Sequence, residues 1–237
     1  MISRRQTFKQ IAGFAVLAGA AAAKVDAKES SCAVYTSTSQ AATTPDIALN
    51  RLMEGNARFV AGKTVNCDLM KQVKETANQQ SPVAVVVGCI DSRVPPELVF
   101  DQRLGDIFAA RVAGNFVNTD ILGSLEFATA AAGAKLIVVL GHSQCGAIKG
   151  AVDDVKLGNL TAMLANIRPS LTKLNYVGVP SSKNKELVQK VADQNAKDAA
   201  AMIMSNSSVI AELVKNGKVK IVAAMHDLET GKIDFFG

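Results

Sequence analysis

In Pro82-Val-Ala-Val-Val-Val-Gly-Cys-Ile-Asp-Ser-Arg93, an apolar, mostly β-branched run ends at a glycine and breaks into residues able to bind a metal. Lys135-Leu-Ile-Val-Val-Leu-Gly-His-Ser-Gln-Cys145 repeats that form. Short apolar runs without alternation suit strands buried on both faces, as in a parallel sheet. In open α/β sheets, ligands sit beyond the carboxyl ends of such strands. If the two strands are neighbours, Cys89 and Asp91 arrive beside His142 and Cys145. Two thiols, an imidazole and a carboxylate form a donor set that suits tetrahedral zinc, and its sulfur content argues against calcium or magnesium.

Outward from these strands, the pattern alternates helix and strand. Pro45-Asp46 opens a helix that Gly62 closes, and a second helix is predicted over 69–79. A strand follows at Gly105–Val112, then a helix over Ile121–Ala132. Beyond Cys145, a helix is predicted from Gly146 to about Leu157, another stretch ending near Pro169, and a loop over 170–183. Lys185–Asn216 reads as one helix, with Leu187, Val191, Ala199 and Ile203 on its apolar stripe. Strands at Lys218–Met225 and Lys232–Phe236 end the chain. The expected fold class is α/β: a single domain with a largely parallel central sheet flanked by helices.

The first 27 residues read as an export signal, with paired Arg4-Arg5, an apolar stretch from Ile11 to Ala23, and a processing site at Val25-Asp26-Ala27. The expected destination is the bacterial periplasm, reached by the twin-arginine route. These residues hold +3 of the net charge of +5, which leaves too little to argue for a nucleic-acid partner. Once the signal is removed, no membrane span is expected. Residues 28–44 read as a flexible linker, and 45–237 as the zinc-binding catalytic domain. Of the four cysteines, Cys89 and Cys145 have a use as ligands; Cys32 and Cys67 are either a disulfide or two unpaired thiols.

Asp91-Ser92-Arg93 points to catalysis. An arginine that holds Asp91 by paired hydrogen bonds leaves zinc with three protein ligands and an open fourth position, where water becomes a hydroxide nucleophile. Asp91 then accepts that nucleophile's hydrogen bond. A purely structural zinc site gains nothing from such a displaceable ligand. His226 is the only other histidine, read as a strand-end residue with a local partner or, alternatively, a proton shuttle.

Cys89-x-Asp91-Ser92-Arg93 followed by His142-x-x-Cys145 resembles the β-class carbonic anhydrases. The likeness extends from about Pro45 to Phe236. It includes Phe100-Asp-Gln, Gly105-Asp-Ile-Phe, Arg111-Val-Ala-Gly-Asn115, Gly123-Ser-Leu-Glu126 and Gly141-His-Ser-Gln-Cys-Gly146. The resemblance implies reversible hydration of carbon dioxide to bicarbonate and a proton, with one zinc ion per subunit. Cys89, His142 and Cys145 would be permanent ligands, and Asp91 either the fourth ligand in a closed form or Arg93's partner in an active one. It also implies a homodimer or higher homo-oligomer. Two departures stand out: Arg103-Leu104 occupies the place of a Gln-Pro pair found in many relatives, and the chain has no Trp.

Overall fold

The strands ending at Gly88 and His142 lie side by side in parallel, with Ala84 opposite Leu136 and Gly88 opposite Leu140. The computed structural model describes residues 32–236, so the export signal lies outside the described residues. Five strands, β1 (Ala84–Gly88), β2 (Ile107–Arg111), β3 (Leu136–His142), β4 (Lys220–His226) and β5 (Ile233–Phe236), form one sheet in the order β2-β1-β3-β4-β5. The first four are parallel and β5 runs antiparallel to β4. Strand order reverses between β1 and β3, because the chain leaves β1 toward one side and returns on the other. A crevice opens beyond the carboxyl ends at such a switch point.

Every residue of β1 and β3 is buried. Val85, Val87, Ile137 and Val139 face one apolar cluster, and Ala84, Val86, Leu136, Val138 and Leu140 face the other. The alternation explains why these strands carry no polar face: both sides are covered by helices. Helices α1 (Ser37–Ala42), α2 (Pro45–Val60) and α3 (Leu69–Thr76) precede β1, and α4 (Pro96–Val99) follows it. After β2 come α5 (Thr119–Glu126) and a π-helical turn, Phe127–Ala131. Helices α6 (Gly146–Val152), α7 (Gly158–Leu164), α8 (Arg168–Lys173), α9 (Lys185–Asn206) and α10 (Ser208–Lys215) link β3 to β4. Leu52 and Ala48 from α2 pack on one face, while Leu187, Val188, Val191, Ala199 and Ile203 from α9 pack on the other.

Several boundaries differ from expectation. The single helix expected over 185–216 breaks at Ser207, whose hydroxyl caps Ile210 N at 3.1 Å and donates to Glu126 Oε1 at 2.5 Å. Such side-chain capping offers the backbone an alternative to continuing the helix. Part of the loop expected over 170–183 is helical, as α8, and α6 ends at Val152 rather than near Leu157.

The flexible linker expected over 28–44 is corrected for its described part. Cys32 is disulfide-bonded to Cys67. Tyr35 lies under the Arg51 guanidinium, 4.7 Å from ring centroid to carbon, and Thr36 caps α1. Gln40 Nε2 donates to the carbonyls of Pro82 (2.6 Å) and Ala132 (2.8 Å), just before β1 and the loop into β3. The small polar composition of 32–44 thus serves capping and hydrogen bonding in a strap across the amino ends of the strands. Among the described residues, no helix is long and apolar enough to cross a membrane.

Candidate metal centre

Gly88 ends β1, and the chain turns out of the sheet with Cys89. One strand over, β3 runs two residues further to His142, and Cys145 stands as the residue before α6. Parallel register therefore delivers three ligand side chains to one end of the sheet. The metal-binding atoms of Cys89, His142 and Cys145 all lie within 4.8 Å of one another, and all three residues are buried. The two sulfurs are 3.9 Å apart. Two thiolates at about 2.3 Å from one tetrahedral zinc would be about 3.8 Å apart, so the pair is spaced for a shared ion.

The imidazole is set for the same task. His142 Nδ1 donates to the Ser143 carbonyl at 2.9 Å, which leaves Nε2 as the lone-pair nitrogen. Nε2 is buried and has no hydrogen-bond partner among the described residues. A buried polar atom left in that state is costly unless something else meets it, and a hydrogen-bonded Nδ1 with a free Nε2 is the usual arrangement of a metal-binding histidine. The residues present fit zinc.

Of the two thiols, Cys89 is the one prepared for deprotonation. Cys89 is pulled well below the ordinary thiol range, first by the Cys145 S–H, then by His142 and by the N–H groups of Gly114 and Asp91, against the opposing effect of burial. Cys145 is pushed up by the bond it shares with Cys89 and by burial. The two sulfurs face each other at 3.9 Å, a spacing at which one dication would satisfy both.

Asp91 stands at the rim rather than in this cluster. Arg93 grips it with Nε to Oδ1 at 3.0 Å and a terminal nitrogen to Oδ2 at 2.8 Å, and the Arg93 backbone N–H adds a third bond at 3.0 Å. This fork, with the Arg93 side-chain hydrogen bonds as the main cause, holds the Asp91 carboxyl far below the usual carboxylate range. Asp91 Oδ2 nevertheless lies 3.8 Å from His142 Nε2, close enough to face whatever occupies the centre.

Arg111, at the end of β2, donates to the carbonyls of Cys89 (2.9 Å) and Asp91 (2.7 Å) and so fastens the loop that carries both. Arg103 and Gln102 do other work: Arg103 pairs with buried Asp106 at 2.8 Å, and Gln102 receives Arg51 Nε at 2.8 Å and donates to the Phe100 carbonyl. His226 lies opposite His142 in the β3–β4 register and is 3% exposed. Sequence reading missed Gly114, whose N–H points at Cys89 Sγ from 3.3 Å, and Asn195, which holds the Gly114 carbonyl at 2.8 Å. Asn195 had left a signal: a polar residue inside the apolar stripe of α9.

The family model described as "Carbonic anhydrase" matches residues 84–233. Among curated proteins, carbonic anhydrase 2 of Mycobacterium tuberculosis is 34% identical over 196 residues, covering 80% of this chain and 92% of its own. The carbonic anhydrase of Pseudomonas aeruginosa is 29% identical, covering 68% and 76% respectively. Among solved structures, one of two tetrameric β-carbonic anhydrases from Sordaria macrospora superposes with a TM-score of 0.61 at 26% identity, over 71% of this chain and 90% of that one.

Proposed function

From the premise that this chain belongs to the β-class carbonic anhydrases, we propose that it interconverts carbon dioxide and bicarbonate at one zinc ion held by Cys89, His142 and Cys145, with Asp91 and Arg93 governing the fourth position. The observation that carries this reading is the pairing of two facts: three buried ligand atoms within 4.8 Å of one another, and a carboxylate 3.8 Å from one of them that is held back by an arginine.

Zinc, when bound, supplies the Lewis acidity that brings a water's pKa down to about 7, a value for which carbonic anhydrases are themselves the standard example and which is not obtained from this geometry. The chain's own residues do the rest. Cys89, Cys145 and the Nε2 of His142 set the charge and shape of the centre. Ser143 fixes the imidazole's tautomer, and Arg111 fixes the loop of Cys89 and Asp91. Asp91, kept ionised by Arg93, accepts a hydrogen bond from the attacking water and so turns the oxygen lone pair toward carbon dioxide. Arg93 also keeps that carboxylate from occupying the position the water needs.

Two wider features belong to the same proposal. The chain is an exported protein of the bacterial periplasm; the paired arginines at 4 and 5 and a disulfide at Cys32–Cys67 support that, since disulfides persist in oxidising compartments. It works as a homodimer or larger homo-oligomer. In support, one side of edge strand β2 has no partner strand among the described residues, while Leu98, Leu104 and Phe127 are exposed. The solved Sordaria relative is described as tetrameric.

Stopped-flow hydration of carbon dioxide by the zinc-loaded protein, beside the same protein stripped by a chelator, tests the reading. Hydration that appears with zinc and disappears without it is expected; zinc uptake with no hydration between pH 7 and 9 would overturn it.

A further inference from the structure

We infer that Asn195 is a positioning residue of the metal centre, holding the Gly114 backbone so that its N–H stays aimed at the sulfur of Cys89. The inference rests on the zinc reading above. Gly114 N lies 3.3 Å from Cys89 Sγ, the one ligand sulfur on the β1 side of the site. Hydrogen bonds to a ligand thiolate tune its charge and fix its direction, and losing a partner of this kind costs about 10- to 100-fold in metal affinity.

Glycine is the residue least able to hold such a direction alone, because its backbone moves freely among conformations. No other residue fits here. The φ of Gly114 is +86°, and a Cβ would fall 2.4 Å from Ile167 Cδ1 and 3.2 Å from Ala147 Cβ. The loop must therefore be held from outside. On one side, Val112 N donates to the Gly88 carbonyl at 3.1 Å and Asn115 N to the Val112 carbonyl at 3.1 Å. On the other, the Asn195 amide donates to the Gly114 carbonyl at 2.8 Å.

Asn195 comes from the 22-residue helix α9, which packs along β3 and β4 and is a rigid support. It is 2% exposed, between Val191, Ala192, Ala196 and Ala199 on the helix's apolar face. Burying an amide there is unfavourable unless it is hydrogen-bonded, and a small apolar residue would fill the position without that cost. What the amide accomplishes is the bond to Gly114.

The test is Asn195→Asp, read at a pH where the carboxyl is ionised, which keeps the shape and replaces the donor with an acceptor. Zinc affinity is read by competition with a chromophoric chelator, and the thiolate-to-metal charge-transfer band by absorption after cobalt(II) replaces zinc. Val191→Ala, on the same buried face but outside this chain of contacts, controls for general loosening of the helix. Asn195→Asp is expected to weaken zinc binding by about 10- to 100-fold and to shift the cobalt band, while Val191→Ala moves neither. Should Asn195→Asp not fold, Asn195→Ser is read in the same way. Affinity within twofold of wild type with an unmoved band overturns the inference, as does equal zinc loss in Val191→Ala. Wild-type protein that takes up no zinc overturns the zinc reading and this inference with it; wild-type uptake with an unchanged Asn195 variant overturns this inference alone.

Discussion

Replacing both Cys32 and Cys67 with serine should cost several kcal/mol of stability and leave the metal centre untouched. The bridge joins residues 35 apart in sequence. Chain-entropy reasoning gives about 4 kcal/mol for closing a loop of that length in the unfolded state, and native disulfides deliver about 2–5 kcal/mol on removal. For a chain of this size, each kcal/mol is worth about 2–4 °C, so the melting temperature should fall by about 4–20 °C. The strap it fastens touches the amino ends of the strands, where Gln40 meets the Pro82 and Ala132 carbonyls. The ligands lie past the carboxyl ends of β1 and β3, strands of five and seven residues, so about 16–23 Å of rigid sheet separates the two. The assay is thermal unfolding of the zinc-loaded double variant and of wild type, with and without reductant, at one protein concentration, with zinc content and hydration measured in parallel. Wild type under reductant should melt with the double variant. A drop of under about 2 °C would show that the strap is held by its other contacts, and loss of zinc at temperatures where the fold persists would refute the separation of strap and site.

The remaining predictions concern the two carboxylates with the clearest partners. Arg93→Ala should keep its zinc and lose about 100-fold or more in hydration, because Asp91 is no longer held from the fourth position; full activity in that variant would remove the dyad. Asp198 on α9 is disfavoured by burial, yet hydrogen bonds from Lys173, Ser170 and Gln194 outweigh that and lower its pKa. A depressed folded pKa means stability that is present above the unfolded value of about 4 and lost as pH falls through the folded one. Asp198→Asn should therefore melt below wild type at pH 7, with the gap closing below about pH 4; a gap constant with pH would contradict the assignment.

The central architecture was legible because its physical cause is local. A strand buried on both faces must be apolar throughout, and Val83–Val87 and Leu136–Leu140 are. Parallel pairing then puts the residues after Gly88 beside those at the end of β3, so Cys89 and His142 meet whatever the loops do. Asp91 and Arg93, two residues apart, could find each other within one turn. What stayed hidden depends on contacts between distant segments. Nothing in spacing shows that Cys32 reaches Cys67, or that a Ser/Thr-rich stretch will use its side chains to cap α1 and hold strand ends. Ser207 breaks a helix because Glu126, 81 residues earlier, accepts its hydroxyl. Asn195, a polar residue in the apolar stripe of α9, has its reason in the Gly114 carbonyl, 81 residues earlier in the chain.

X-ray absorption at the zinc edge of the loaded protein examines the ligand set itself. Two sulfur scatterers at about 2.3 Å with two nitrogen or oxygen scatterers at about 2.0–2.2 Å are expected from Cys89, Cys145, His142 and one oxygen donor. A shell with no sulfur, or with four, would contradict the assignment of these three side chains to one ion.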